Sequence, residues 1–144
     1  LHVGPFKAAL TIPASTTPLN WTNLDAISAS GIDRSADLTI TWTGGDSAGE
    51  YAVIGGAVFL PEMLGKDLQV VSAFMCTESM SAGRFTVPSV VLSALPASTP
   101  DAVSGLLMVG RAPLLSDSMK FTAPGLDIGY LTLAAFHGRL AAFR

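Results

Sequence analysis

Apolar residues recur along this chain with a period of two rather than 3.6. Residues 37–42 show it most cleanly. Leu38, Ile40 and Trp42 fall on one side, with Thr39, Thr41 and Thr43 on the other. That alternation predicts a strand with one wet face. Residues 6–12 alternate likewise, which predicts Phe6, Ala8, Leu10 and Ile12 inward. Residues 68–77 alternate less cleanly and fit a strand buried on both faces. Further strands are predicted over 51–54, 57–60, 84–87, 105–109, 119–122, 128–136 and 139–143. Between them stand Gly44-Gly45-Asp46, Gly55-Gly56, Ala82-Gly83, Pro124-Gly125 and His137-Gly138, all read as turns.

Two segments read as helical. Residues 89–95 follow Pro88 and precede Pro96, which suits one or two turns opened by a proline. Residues 61–64 suit a single turn. Residues 13–35 are rich in Ser, Thr, Asn and Pro and read as a long ordered connection anchored by Trp21, Leu24 and Ile27. Neither helical segment is long enough to cover a parallel sheet. The expectation is therefore all-β: an antiparallel immunoglobulin-like β-sandwich of about 7–10 strands with one or two short helical turns. Its predicted core is Leu38, Ile40, Trp42, Phe74, Cys76, Phe85, Val87, Leu92 and Leu106.

The length of 144 residues suits a single domain, 1–144, with a real core. The chain begins at Leu1, which suggests a domain excised from a larger extracellular protein. Hydrophobic residues make up 49% and charged residues 13%, a balance that argues against disorder. No apolar run approaches the roughly 18 residues of a membrane span. Eight Lys and Arg are scattered and the net charge is −3, so no basic footprint for nucleic acid exists. Polar positions favour Ser and Thr over Lys and Glu, as in extracellular modules. Cys76 is the only cysteine, so no internal disulfide can form.

Several segments resemble a β-sandwich module of unknown function found near the C-terminus of large secreted or surface proteins of soil acidobacteria. The most specific are Phe74-Met75-Cys76-Thr77 and the run from Ala82-Gly83-Arg84-Phe85 through Val87-Pro88-Ser89 to Ala97-Ser98. Leu19-Asn20-Trp21-Thr22-Asn23, Asp37-Leu38-Thr39-Ile40-Thr41-Trp42-Thr43-Gly44-Gly45-Asp46 and Phe121-Thr122-Ala123-Pro124-Gly125-Leu126-Asp127-Ile128-Gly129 support them in the expected order. The resemblance implies a sandwich fold and an extracellular or cell-surface location. It implies no catalytic residue.

Candidate chemistry is sparse. Gly45-Asp46-Ser47-Ala48-Gly49 matches G-x-S-x-G. A nucleophile elbow needs strand, tight turn and helix, whereas residues 51–54 read as a strand. Ser47 therefore reads as a surface turn, and the histidines, His2 and His137, lie in a terminus and a predicted turn. Cys76 reads as a buried, inert thiol. Asp33, Asp37, Asp46 and Glu50 form the nearest approach to an acidic group, but their spacing matches no calcium loop. No catalytic, cofactor or metal residue is assigned. Trp21, Tyr51 and Tyr130 are the candidate ligand-binding rings, since exposed aromatics beside amides stack on sugars. The expected role is a non-catalytic adhesion, spacer or cap module whose partners are other domains of its parent chain, or a protein or glycan at the cell surface. The alternative is a carbohydrate-binding module.

Overall fold

The computed structural model describes residues 3–10, 17–46, 48–59, 70–98 and 105–144. Nine strands and two short helices are assigned among them: β1 (Asn20–Trp21), α1 (Leu24–Ser30), β2 (Leu38–Thr43), β3 (Glu50–Phe59), β4 (Val70–Ser79), β5 (Arg84–Val87), α2 (Ser89–Ser93), β6 (Gly105–Pro113), β7 (Lys120–Ala123), β8 (Leu126–Tyr130) and β9 (Ala135–Ala141). The fold is all-β and antiparallel. One sheet runs β1-β2-β5, a second runs β4-β3-β6-β9, and β7-β8 form a ribbon. Buried side chains of the two larger sheets make one cluster, so these sheets face each other as a sandwich.

The strand over 37–42 comes out as expected. Ile40 and Trp42 are buried inward from β2, Leu38 packs at the margin, and Val87 joins them from β5. Trp42 is 2% exposed, and its indole Nε1 donates to the Met80 carbonyl at 3.0 Å. On the opposite face, Thr39 and Thr86 share a hydroxyl bond of 3.0 Å, and Thr22 and Thr41 one of 2.6 Å. That face is wet and polar.

The helical turn expected at 89–95 is α2. Ser89 N–H donates to Asp37 Oδ1 at 2.7 Å, and Arg34 Nη1 donates to the Leu95 carbonyl at 2.6 Å just past its end. Leu92 and Leu95 are buried beneath it, but Val90 points outward at 73% exposure. Helix α1 occupies part of the predicted connection and buries Ile27. The turn expected at 61–64 lies outside the described residues.

Six expectations need correction. Gly55-Gly56 is not a turn: both residues lie inside β3, which is continuous over ten residues. His137-Gly138 likewise sits inside β9, paired with Val109 and Met108. The strand expected over 128–136 is broken by residues 131–134, which lie between β8 and β9. Residues 6–10 join no ladder. They lie against the ribbon, where Phe6 is exposed yet stacked on Phe121 with centroids 4.9 Å apart, and Gly4 N–H donates to the Pro124 carbonyl at 2.8 Å. Finally, Leu107 and Val109 are the core residues of β6, while Leu106 faces outward. Strand β4 turns Ala73, Met75 and Thr77 to the outer face, where they are exposed, so it is not buried on both faces.

Gly55 and Gly56 share one physical reason, also found at Gly110 and Gly129: each lies opposite a large side chain on the next strand that occupies the space a β-carbon would need. Gly55 is the register partner of Met108, and a β-carbon there would stand 2.7 Å from Met108 Cε. Gly56 is covered by Phe74, Gly110 by Phe136 and Gly129 by Phe121, each its register partner. Glycine is weak within a strand by itself, and a neighbour folded over it restores the lost packing.

Candidate functional surface

The three aromatic candidates stand on three different sheets. Trp21 is 6% exposed in β1 and belongs to the core. Its Nε1 donates to Asn23 Oδ1 at 3.0 Å, and that oxygen also accepts Thr41 N–H at 3.1 Å. Asn23 Nδ2 in turn donates to the Thr39 carbonyl at 2.9 Å. The amide beside Trp21 thus ties a buried ring to β2, and the ring has no face free for a sugar. Tyr51 is half-buried on β3. Tyr130 is exposed at the end of β8, with Lys120 Nζ 6.0 Å from its ring centroid. Asp117 holds that ammonium at 2.6 Å, and with Tyr130 it keeps the lysine pKa above its ordinary value. The three rings form no common platform.

The acidic residues are committed to backbone and side-chain partners. Asp33 Oδ1 accepts Ser35 N–H at 2.8 Å and Ser35 Oγ–H at 2.7 Å, which lowers its pKa. Asp46 Oδ1 accepts Ala48 N–H at 2.9 Å, holding the turn between β2 and β3 as expected of an Asp there. Glu50 Oε2 accepts Asp46 N–H at 3.0 Å, and Glu50 pairs with Arg111 at 3.0 Å. Among the described residues no three metal-ligating side chains converge. Ser47 lies outside the described residues; His137 is exposed on β9. Cys76 is half-buried on the inner face of β4, and that burial pushes its thiol pKa up.

The surface feature that the sequence reading missed is the outer face of the four-stranded sheet. Register fixes three rows across β4, β3, β6 and β9. The first is Thr77, Val53, Gly110 and Phe136. The second is Met75, Gly55, Met108 and Gly138; the third is Ala73, Ala57, Leu106 and Leu140. These twelve positions hold no charged residue. Along its centre Val53 and Ala57 are buried, Met108 lies over Gly55 and Phe136 over Gly110. The margins stand proud: Met75 is 73% exposed, Leu140 60% and Phe136 48%. The two faces of the sandwich therefore differ in kind, threonine-rich on the three-stranded sheet and apolar on the four-stranded one. A sheet face open to water normally carries polar residues, and here the exposed large side chains Met75, Phe136 and Leu140 stand along its margins.

Among the described residues no helix is long and apolar enough to cross a membrane. Comparison with known protein families, with curated proteins and with solved structures finds no match.

Proposed function

We propose that this chain is a non-catalytic interaction module of a secreted or cell-surface protein, used as immunoglobulin-like domains are used, to join or cap larger assemblies. The observation that carries the reading is the row of exposed large apolar residues, Met75, Phe136 and Leu140, at the margins of the outer face of the β4-β3-β6-β9 sheet. Its working surface is then the sheet face, and its partners are folded protein: other domains of a parent chain or a protein at the cell surface. The scarcity of Lys and Glu on a Ser- and Thr-rich chain supports the extracellular setting, as does the resemblance to surface-protein modules. The carbohydrate-binding alternative loses its strongest ring to the core, since Trp21 is buried.

The test is a Met75→Lys/Leu140→Lys variant probed with bis-ANS. The parent chain should bind the dye, and the variant should lose that binding with its circular dichroism unchanged. Equal dye binding by the two would remove the sheet face as the working surface. Stoichiometric labelling of Ser47 by a fluorophosphonate would replace the non-catalytic reading with a hydrolase.

A further inference from the structure

We infer that the free edge of β9 docks an extended segment of a partner protein, added antiparallel as a fifth strand, with apolar side chains on its outer face and carboxylates on the other. The inference rests on the reading of this chain as an interaction module and names where, and by what chemistry, a partner is held.

Strand β9 ends the β4-β3-β6-β9 sheet, and among the described residues its ladder partner is β6 alone. Every residue from Ala135 to Leu140 is exposed. The register runs without a bulge, and the strand holds neither Pro nor Lys, two common guards of an edge. Just beyond β9 the chain itself shows what this edge accepts. Ile32 N–H donates to the Ala142 carbonyl at 2.8 Å, and Arg144 N–H donates to the Ile32 carbonyl at 2.8 Å, a parallel bridge to Phe143. Phe143 bonds on the opposite side, where its N–H donates to Ser98 Oγ at 3.0 Å and its carbonyl accepts Ser98 N–H at 2.7 Å. Residues 142 and 144 therefore face the added segment. Strand alternation carries that edge back through Leu140, Gly138 and Phe136. Among the described residues, none of these three makes a backbone bond outside the strand ladders.

The side chains on the two faces of β9 set the chemistry of the partner. Phe136 and Leu140 stand exposed on the outer face, with Gly138 between them. His137 and Arg139 lie on the other face, level with the core residues Val109 and Leu107, yet both are exposed. Among the described residues no carboxylate pairs with Arg139. An added strand with apolar residues opposite Phe136, Gly138 and Leu140 extends the outer face, and the residue beside Gly138 meets no side chain there to displace it. The alternate residues fall opposite His137 and Arg139, where a carboxylate makes the favourable cross-strand pair. The same two residues argue against a second copy. Pairing β9 with β9 about a two-fold axis at Gly138 would set Arg139 against His137 and bring a carboxylate to neither. A charge on the inward side of an edge strand is a known guard against self-pairing, and a partner of opposite charge removes that obstacle.

The experiment titrates the chain into a blocked, fluorescein-labelled peptide that alternates valine and glutamate, with valine first, third and fifth. Anisotropy gives the affinity, and amide shifts of residues 135–140 give the place. The peptide should bind with a Kd of about 100 µM, as suits a small contact, and should shift those amides. Antiparallel pairing turns the valine amides to β9 and the glutamate amides to water. N-methylation of the valines should therefore weaken binding at least about tenfold, while N-methylation of the glutamates should leave it within about threefold. Arg139→Glu, at an exposed site, should weaken the glutamate peptide about fivefold and favour a lysine counterpart. No binding up to about 1 mM overturns the inference. So does equal binding of the two N-methylated peptides, or indifference to Arg139→Glu. Broadening of the 135–140 amides that grows with the concentration of the chain alone gives the edge to a second copy and overturns it too. Bis-ANS binding lost in Met75→Lys/Leu140→Lys, with no peptide bound by the parent, removes the edge and leaves the interaction module standing.

Discussion

Phe136 on β9 lies across Gly110 on β6, its register partner, so closely that a β-carbon at Gly110 would fall 2.8 Å from Cε1 of the ring. The glycine is there because the ring is. Gly110→Ala should therefore lift the ring and press on the Ala135 carbonyl, costing about 1–3 kcal/mol as overpacked sites do. Phe136→Ala removes a half-exposed ring and should cost about 1 kcal/mol or less, the scale of a cross-strand pair. In Gly110→Ala/Phe136→Ala the ring that causes the clash is gone, so the double variant should be more stable than the sum of the singles. Urea unfolding of the three variants at low protein concentration checks this; strict additivity would contradict the contact.

Asn23 is the polar joint between β1 and β2. Its side chain makes three hydrogen bonds, to Trp21 Nε1, Thr41 N–H and the Thr39 carbonyl. Asn23→Ala leaves the Trp21 and Thr41 donors without that acceptor, and about 1–3 kcal/mol of stability should go with them. Asn23→Asp keeps the acceptor and loses only the donation to Thr39, so it should fall between alanine and the parent at neutral pH. Denaturation midpoints in that order confirm the joint.

These two sites show what the sequence could and could not reveal. Alternation fixed β2, because a strand with one buried and one wet face writes itself as Leu38, Ile40, Trp42 against Thr39, Thr41, Thr43. Pro88 marked α2 for an equally local reason. Gly55-Gly56 and His137-Gly138 misled, because glycine in a single chain reads as punctuation. Only the neighbouring strand shows that it makes room for Met108 or Phe74. The parity of β6 failed similarly, since Leu106, Leu107 and Met108 are all apolar and no polar residue marks the outer side. That same lack of polar marking is the apolar outer face. It escaped notice in part because the strand over 68–77, taken alone, looked like one buried on both faces.

Cys76 should be a slow thiol. Burial raises its pKa, so less thiolate is present at neutral pH and reaction with Ellman's reagent should lag behind free cysteine. The linkage has a definite sign. A thiol whose folded pKa exceeds its unfolded value of about 8.5 favours the folded state at lower pH and loses that contribution as pH rises through the folded value. Cys76→Ser should therefore flatten part of the decline in stability above about pH 8.5. Parallel midpoints at neutral and alkaline pH decide it; identical slopes for parent and variant would exclude Cys76 as the cause.

Trp42 and Gly45 are joined through Met80. Trp42 Nε1 donates to the Met80 carbonyl, and Gly45 lies against the Met80 side chain, where a β-carbon would fall 2.7 Å from its Cγ. Gly44 and Gly45 both have φ of 81°, a left-handed conformation that suits glycine. Gly45→Ala thus adds backbone strain to a clash with a buried side chain and should cost about 1–3 kcal/mol. Trp42→Ala deletes a large core ring and should cost more, about 3–5 kcal/mol. The two effects should also be coupled. Alanine at 45 can be accommodated only by moving Met80, and that shift stretches the bond to Trp42. Gly45→Ala should therefore alter tryptophan emission in the folded state, beyond lowering the midpoint. With Met80→Ala in the background, the side chain that causes the clash is absent, so Gly45→Ala should then show only its backbone cost. An emission spectrum unchanged by Gly45→Ala, with the same loss of stability in both backgrounds, would leave backbone strain as the whole effect and break the link from the turn to the core.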